Sequence, residues 1–387
     1  MPDAYLFLSC SKGFFISPLL PRLKRAPIRR DDHCASSGEK MPPSELEADD
    51  EPMVREEGRA APRDMSKRLL LSIALATYNG ERYLEEQLES IVRQTRLPDE
   101  LVIFDDASTD STASIAGEFA QRAPFPVRFQ INAERLGSTR NFEAAIRACS
   151  GDIIFLCDQD DVWYPEKMAR MEERFISDPE AGAVFTDADV VDQDLQPCGP
   201  RLWQAVRFKQ KDQARFAARD ALGVLLKRPV VTGATMAFRS SYRDLILPMP
   251  EIWVHDAWIS LLIGAVSHLD GLPIPLIAYR QHSANQIGAP RRDRRSKRTK
   301  SSCAAFYGPQ VPRFEMARAR LAKLSDSFPQ GERSIQRFDD MLPFLRARAA
   351  LPDARWRRLP GALHELVALR YHRHAYGLKS FRRDLLR

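Results

Sequence analysis

The stretch Ile153-Ile154-Phe155-Leu156-Cys157-Asp158-Gln159-Asp160-Asp161-Val162-Trp163 changes character in one step, with an apolar run leading straight into three carboxylates within four positions. The run Ile153 to Leu156 has the length and continuity of a strand buried on both faces. Carboxylates packed this closely repel one another unless a cation joins them, so the end of the strand reads either as a metal site or as a solvated turn.

Working outward, the same alternation precedes this segment three times. Leu69 to Ala76 is apolar and of strand length, and after Asn79 the residues Leu84, Leu88, Ile91 and Val92 recur at helical spacing within Glu81 to Thr95. Leu101 to Phe104 leads to a helix carrying Ile115 and Phe119, and Val127 to Ile131 to one carrying Phe142, Ala145 and Ile146. Behind the fourth strand stand Met168, Met171 and Phe175. Short apolar strands alternating with amphipathic helices predict an α/β fold, a mostly parallel sheet with helices on both faces. Each strand runs into polar residues at its carboxyl end: Thr77, Tyr78 and Asn79 after the first, Asp105 and Asp106 after the second, Asn132 after the third, and Asp158 to Asp161 after the fourth. In an open parallel sheet these positions line the crevice at the carboxyl edge, where ligands bind.

Composition narrows the classes. With 387 residues and 44% hydrophobic content, the chain builds a full core. Its six cysteines are scattered without a C-x-x-C pair, against a zinc ribbon or a secreted disulfide framework, and point to a reducing, cytoplasmic setting. No apolar run reaches the roughly 18 residues of a membrane span. The net charge of +6 is uneven: Arg291 to Lys300 hold seven basic residues against Asp293, and Arg355 to Arg387 hold nine against Glu365 and Asp384. Residues 1–65 show no sustained apolar period and read as a disordered extension, with no secretory signal pattern. A domain is expected over 66–288, a basic flexible linker over 289–311, and a basic helical extension over 312–387.

Neither G-x-G-x-x-G after a strand nor G-x-x-x-x-G-K-[ST] is present, so a nucleotide needs another anchor. A divalent metal bridging diphosphate oxygens to carboxylates fits Asp158 to Asp161, because Mg²⁺ or Mn²⁺ takes hard oxygen ligands and needs only one or two from protein.

Five motifs in order, Ala76-Thr77-Tyr78-Asn79, Asp105-Asp106-Ala107-Ser108-Thr109-Asp110, Arg135-Leu136-Gly137 with Arg140-Asn141, Asp158-Gln159-Asp160-Asp161-Val162-Trp163, and His255-Asp256, resemble family 2 glycosyltransferases. Tyr279-Arg280-Gln281-His282, with Asn285 and Gly288 beyond, is similar to the subset called rhamnosyltransferases. The resemblance covers roughly Leu69 to Gly288. It implies a GT-A fold, a nucleotide-sugar donor, an inverting transfer, and a glycan or lipid-linked acceptor in cell-surface polysaccharide assembly. It also implies roles. Thr77, Tyr78, Asn79, Asp105 and Asp106 would hold the base and ribose, with Asp106 taking the imide N–H of a pyrimidine. Arg140 would sit near the nucleotide or its phosphates. Asp158 and Asp160 match the D-x-D pattern, Asp160 as the direct metal ligand, and Asp256 matches the general base. His282 would complete the metal shell or meet the diphosphate, and the choice between them stays open. The donor implied by the subset is deoxythymidine diphosphate rhamnose.

Plainer roles stand beside these. Asp105, Asp106 and Ser108 suit turns and helix caps, and Asp256 suits the first turn of the apolar helix Ala257 to Val266. Thr232, Gly233 and Ala234 form either a strand turn or the floor of an acceptor site, and Trp163 reads as packing. Arg291 to Lys300 lack the aromatic residues that single-strand nucleic-acid binding uses. The tail mixes arginines with Trp356, Leu359, Leu363, Leu366, Val367, Leu369, Tyr371 and Tyr376, which suits either a packing helix or a helix lying on an anionic membrane surface. The competing function is a non-catalytic nucleotide-sugar-binding protein, which would gain nothing from Asp256.

Overall fold

The computed structural model describes residues 68–282 and 302–387. The expected N-terminal extension, the run Arg291 to Lys300, Asn285 and Gly288 lie outside the described residues. Eight strands, β1 (Leu71–Thr77), β2 (Glu100–Asp105), β3 (Val127–Ile131), β4 (Ile153–Asp158), β5 (Val162–Trp163), β6 (Ala181–Val191), β7 (Met236–Arg239) and β8 (His268–Arg280), form one sheet in the order β3-β2-β1-β4-β7-β6-β8-β5.

The half with the strand–helix repeats is parallel: β1 pairs with β2 and β4, and β2 with β3. The other half is mixed, and the sheet as a whole has four parallel pairings against three antiparallel ones, as a mostly parallel sheet requires. β7 runs antiparallel to both β4 and β6, while β8 is parallel to β6. The apolar pair Val230-Val231 is buried loop rather than strand, and a single 3₁₀ turn, Gly233–Thr235, turns the chain into β7.

Side-chain alternation divides the core. Leu71, Ile73 and Leu75 of β1, with Ile153, Phe155 and Cys157 of β4, face α1 (Leu84–Val92), α2 (Thr112–Arg122) and α4 (Lys167–Ser177). Ala74, Val102, Ile154 and Leu156 point the other way, toward α3 (Ser138–Ala148) and the helix His255–Val266. Period-two alternation thus buries both faces, the condition a parallel sheet requires.

On that second face the C-terminal helices join the same core. Phe314, Phe338, Leu342 and Phe344 are buried in one cluster with Trp258 and Ile259. At about 1.5–3 kcal/mol for each large apolar side chain, this attaches the helices to the sheet domain rather than leaving them as an appendage. Trp253 Nε1 donates to the Arg313 carbonyl at 3.1 Å, and Arg320 donates to the carbonyls of Leu247 at 2.8 Å and Pro248 at 2.7 Å. Helical structure begins at Cys303–Tyr307, inside the expected linker, with Cys303 and Tyr307 buried. The last helices converge on Asp384, fully buried, which accepts from Tyr307 Oη at 2.7 Å, Tyr371 Oη at 2.8 Å and Arg348 Nε at 2.7 Å.

Along the helix Arg355–Val367, Trp356, Leu359, Leu363 and Val367 are exposed on one face, while Arg358, Ala362 and Glu365 are buried on the other. Tyr371 belongs to the core. No described helix is long and apolar enough to cross a membrane.

Candidate functional site

The carboxyl ends of β1, β2 and β4 present the expected polar residues, and hydrogen bonds lock them to one another. Thr77 Oγ1 donates to Asp105 Oδ2 at 2.8 Å, and Ser108 donates through its amide at 2.8 Å and its hydroxyl at 2.6 Å. Asp105 is fully buried and holds the loop between β2 and α2. Asp106, 2% exposed, accepts from the Leu136 amide at 2.7 Å, the Gly137 amide at 2.8 Å and Asn132 Nδ2 at 3.1 Å. A carboxylate offers about four acceptor positions, so three are spent inside the protein.

Asn79 adopts φ 47°, its amide donating to Ser108 Oγ at 2.8 Å and its Oδ1 accepting from the Thr109 amide at 2.9 Å. Tyr78 is clamped by Gln159, which accepts from its amide at 2.8 Å and donates to its carbonyl at 2.9 Å. This clamp needs the neighbouring glycine, because a Cβ on Gly80 would lie 2.3 Å from Gln159 Oε1. The Arg135 guanidinium stands 4.1 Å over the Tyr78 ring.

A second group gathers beyond β4. Asp158 ends that strand, and burial together with the charges of Asp160 and Asp256 pushes its carboxyl up to about 8. Asp256 is thereby a neighbour of the D-x-D carboxylates despite standing 98 residues from Asp158 in the chain. It lies in the first turn of the helix His255–Val266, where its Oδ2 accepts from the Gly233 amide at 3.0 Å and its Oδ1 from the Ala257 amide at 2.6 Å. Gly233 is obligatory at this approach, since a Cβ there would come within 2.7 Å of His255 Nε2. His282 Nε2 lies 2.8 Å from Asp160 Oδ2. Tyr279 is buried among these groups, and burial and the charges of Asp161, Asp158, Asp160 and Asp256 push its phenol up.

Two further cations support the cluster, Lys167, which no motif named, and Arg280, which the sequence offered only as part of Tyr279-Arg280-Gln281-His282. Lys167, fully buried, donates to the Ala234 carbonyl at 2.6 Å and sits 3.7 Å over the Trp163 ring. Burial brings it down to about 7 against the opposing pull of Cys157, Asp161 and Asp158. It ties α4 to the turn whose Gly233 amide holds Asp256. Arg280 fastens the acidic loop from below, donating from its amide to Asp161 Oδ1 at 2.9 Å and from Nε to the Asp160 carbonyl at 2.7 Å. At the first position of a helix a lysine ordinarily reads as solvated, and no spacing rule brings a residue of β8 to that loop. Trp163 is buried against Phe155, as its packing role predicts.

Arg140 does not join the cluster. It pairs with Glu251 at 3.3 Å and Glu143 at 3.7 Å, makes no ion pair with Asp158, Asp160 or Asp256, and lines a separate cavity of about 680 Å³ with Arg135 and Arg147. The carboxylates thus come together on three elements, while Arg140 faces another recess.

The carboxylate set fits a divalent cation on its chemistry, since burial and the charges of Asp160 and Asp256 drive Asp158 toward its protonated form and a cation among them would reverse that. Among the described residues no group of three or more His, Cys, Asp or Glu side chains could hold a metal ion. Any such ion would therefore need ligand oxygens as well, the usual situation for Mg²⁺ at phosphates.

Sheet and rim define an α/β domain with polar and acidic residues gathered at its carboxyl edge, and comparison with known proteins adds relatives. Residues 72–242 match the family Glycosyl transferase family 2. A Mycobacterium bovis protein, Mb1547, is 35% identical over 217 residues, 55% of this chain and 59% of that one. The Nostoc protein named "Uncharacterized glycosyltransferase alr2836" is 27% identical over 227 residues, 56% of this chain and 66% of its own length. The chain therefore spans less than two thirds of either. The "dTDP-rhamnosyl transferase RfbG" of Shigella flexneri is 27% identical over 227 residues, 56% of this chain and 74% of that one. Among solved structures, Staphylococcus aureus TarS residues 1–349 in complex with UDP-GlcNAc superposes with a TM-score of 0.47 at 14% identity, covering 72% of each chain.

Proposed function

We propose that the protein is a family 2 glycosyltransferase that moves a sugar from a pyrimidine nucleotide-sugar donor to a hydroxyl of a glycan or lipid-linked acceptor, with inversion. One observation carries this reading: Asp158, Asp160 and Asp256 share a single electrostatic environment at the carboxyl edge of the sheet. A metal and a base need to stand on either side of one reacting centre.

Asp158 and Asp160, with His282 beside Asp160, are the residues that would hold Mg²⁺ or Mn²⁺. Bound there, the cation would offset negative charge on the departing diphosphate. Asp256 takes the proton of the attacking acceptor hydroxyl, and the Gly233 and Ala257 amides fix its carboxylate in place. Thr77, Tyr78 and Asn79 shape the nucleoside pocket, Asp105 and Asp106 brace it, and the remaining acceptor position of Asp106 suits a uracil or thymine imide. Arg140, whose pair with Glu251 is exposed, stays a candidate for the nucleotide or its phosphates. Deoxythymidine diphosphate rhamnose is the first donor to try, a choice supported by the named activity of the Shigella relative.

A peripheral place on an anionic membrane fits the tail. Of the two acids in Arg355 to Arg387, Glu365 and Asp384 are both buried, which leaves exposed cations beside the stripe Trp356, Leu359, Leu363 and Val367.

The test is Asp256→Asn. Transfer should fall by about 10²–10⁴-fold, while donor binding, followed by the rise in melting temperature it causes, stays as in the parent. Loss of binding and transfer together, or of neither, would defeat the base assignment, and unaltered binding in a parent that transfers nothing would favour the non-catalytic alternative.

A further inference from the structure

Lys167 opens α4, its amide donating to the Tyr164 carbonyl at 3.0 Å, and its side chain is fully buried. That placement runs against two preferences at once. An ammonium loses its hydration on burial, and the start of a helix is the positive end of its dipole. A methionine or leucine would fill the space without either cost. A residue that breaks local rules inside an otherwise consistent fold marks a place where something besides stability is served.

The contacts of the ammonium say what that is. Its hydrogen bond goes not to a carboxylate, as a buried ion pair would require, but to the Ala234 carbonyl at 2.6 Å, and it stands 3.7 Å over the face of Trp163. Trp163 closes the acidic loop that starts at Asp158, its own amide donating to Ser90 Oγ at 3.0 Å. Ala234 is the middle residue of the 3₁₀ turn Gly233–Thr235, which Thr235 cinches by donating to the Thr232 carbonyl from its amide at 3.0 Å and its hydroxyl at 2.8 Å. Peptide planes in so short a turn cannot rotate independently, so the group that holds the Ala234 carbonyl also aims the Gly233 amide. That amide donates to Asp256 Oδ2. The turn has no slack on the helix side, since the Cβ position of Gly233 lies 2.7 Å from His255 Nε2 and 3.3 Å from Asp256 Cβ. One buried amine therefore spans the acidic loop and the seat of Asp256.

We propose that Lys167 is a positioning residue: through the Ala234 carbonyl and the Gly233 amide it fixes the Asp256 carboxylate at a set offset from the acidic loop. The consequence for transfer rests on the transferase reading above, whereas the effect on the Gly233 amide does not.

Lys167→Met in the full chain tests this in two arms. Hydrogen exchange, followed without substrate, should speed up about tenfold or more at the Gly233 amide and stay as in the parent along β1 and β2, whose protection reports global opening. Acceleration spread evenly over the chain, or none at Gly233, would overturn the proposal. In steady-state transfer kcat should fall about ten- to a hundredfold, the scale of a displaced catalytic group, while donor KM stays near the parent value. A loss confined to KM would also overturn it. With Asp256→Asn already in place, Lys167→Met should lower kcat no further, and additive losses would assign Lys167 to the scaffold instead. Should Lys167→Met not fold, Lys167→Gln, whose shorter neutral chain cannot span to the Ala234 carbonyl, replaces it and the same outcomes decide. A parent that transfers nothing from any donor refutes only the transferase, because the exchange arm still decides on Lys167.

Discussion

Two regions of this protein bury acidic groups, and they treat them in opposite ways. Asp384 in the last helix is surrounded by donors: two tyrosine hydroxyls and the Arg348 guanidinium satisfy both oxygens, and Arg358 takes the backbone carbonyl at 2.9 Å. Around Asp158 two other acids, Asp160 and Asp256, outweigh one cation, Lys167, and Asp161 keeps one oxygen buried with no hydrogen-bond partner. A satisfied buried charge orders a fold, whereas a crowded one stores unfavourable energy that a ligand can relieve. The difference sets the helical region apart as scaffold from the carboxyl edge of the sheet as the candidate site.

The largest stability effect should therefore come from the scaffold. Asp384→Ala leaves Arg348 buried without its counter-charge, which costs about 3–5 kcal/mol and shows as a lower midpoint in urea. Asp161→Asn, equally buried, should shift stability by less than about 1 kcal/mol, because its second oxygen has no bond to lose. Equal losses from the two substitutions would erase the contrast.

That contrast bears on what the sequence could disclose. The parallel half of the sheet was legible because β1, β2 and β4 each repeat a short apolar run and a polar end before a periodic helix, while β3 alternates as an edge strand does. The acidic end of β4 and the nearness of Asp256 were legible through motif order. The features that resisted are made by long-range packing. β7 is four residues long and antiparallel, and no local period announces it. Lys167 looks solvated until Trp163 and Ala234 close over it. Arg140 carries the right charge in the right motif, yet Glu251, over a hundred residues on, takes its guanidinium. Asp384 reads in the sequence as one more charge in a basic tail.

Acidity offers a second test, smaller per pH unit than the scaffold loss. Asp158 titrates near 8 in the fold, well above the ordinary value of 3.8, so the folded chain holds a proton there that the unfolded chain has released. Its contribution to stability is complete below about pH 4, declines as pH rises toward 8, and is gone above. The slope is at most about 1.4 kcal/mol per pH unit for one proton. In chelator, urea midpoints should fall over this window, Asp158→Asn should flatten the fall, and Mn²⁺ should restore stability at the alkaline end. A profile that Asp158→Asn leaves unchanged would mean that the crowding lies elsewhere.

The finest distinction separates the rim of the site from its acidic centre, and Gly80→Ala probes it. The added methyl would overlap Gln159 Oε1 and Cδ, both at the far end of a flexible side chain, so Gln159 can swing away and the backbone need not move. The cost is then the pair of hydrogen bonds to Tyr78, each worth about 0.5–1.5 kcal/mol. Gln159 is the residue between Asp158 and Asp160, and its release should loosen the loop and raise the donor KM severalfold with little change in kcat. If displacement of Gln159 is the whole mechanism, Gly80→Ala should add nothing to Gln159→Ala in a double-mutant cycle. Additive losses would show instead that the glycine serves α1 and the fold, and that the clamp on Tyr78 is incidental.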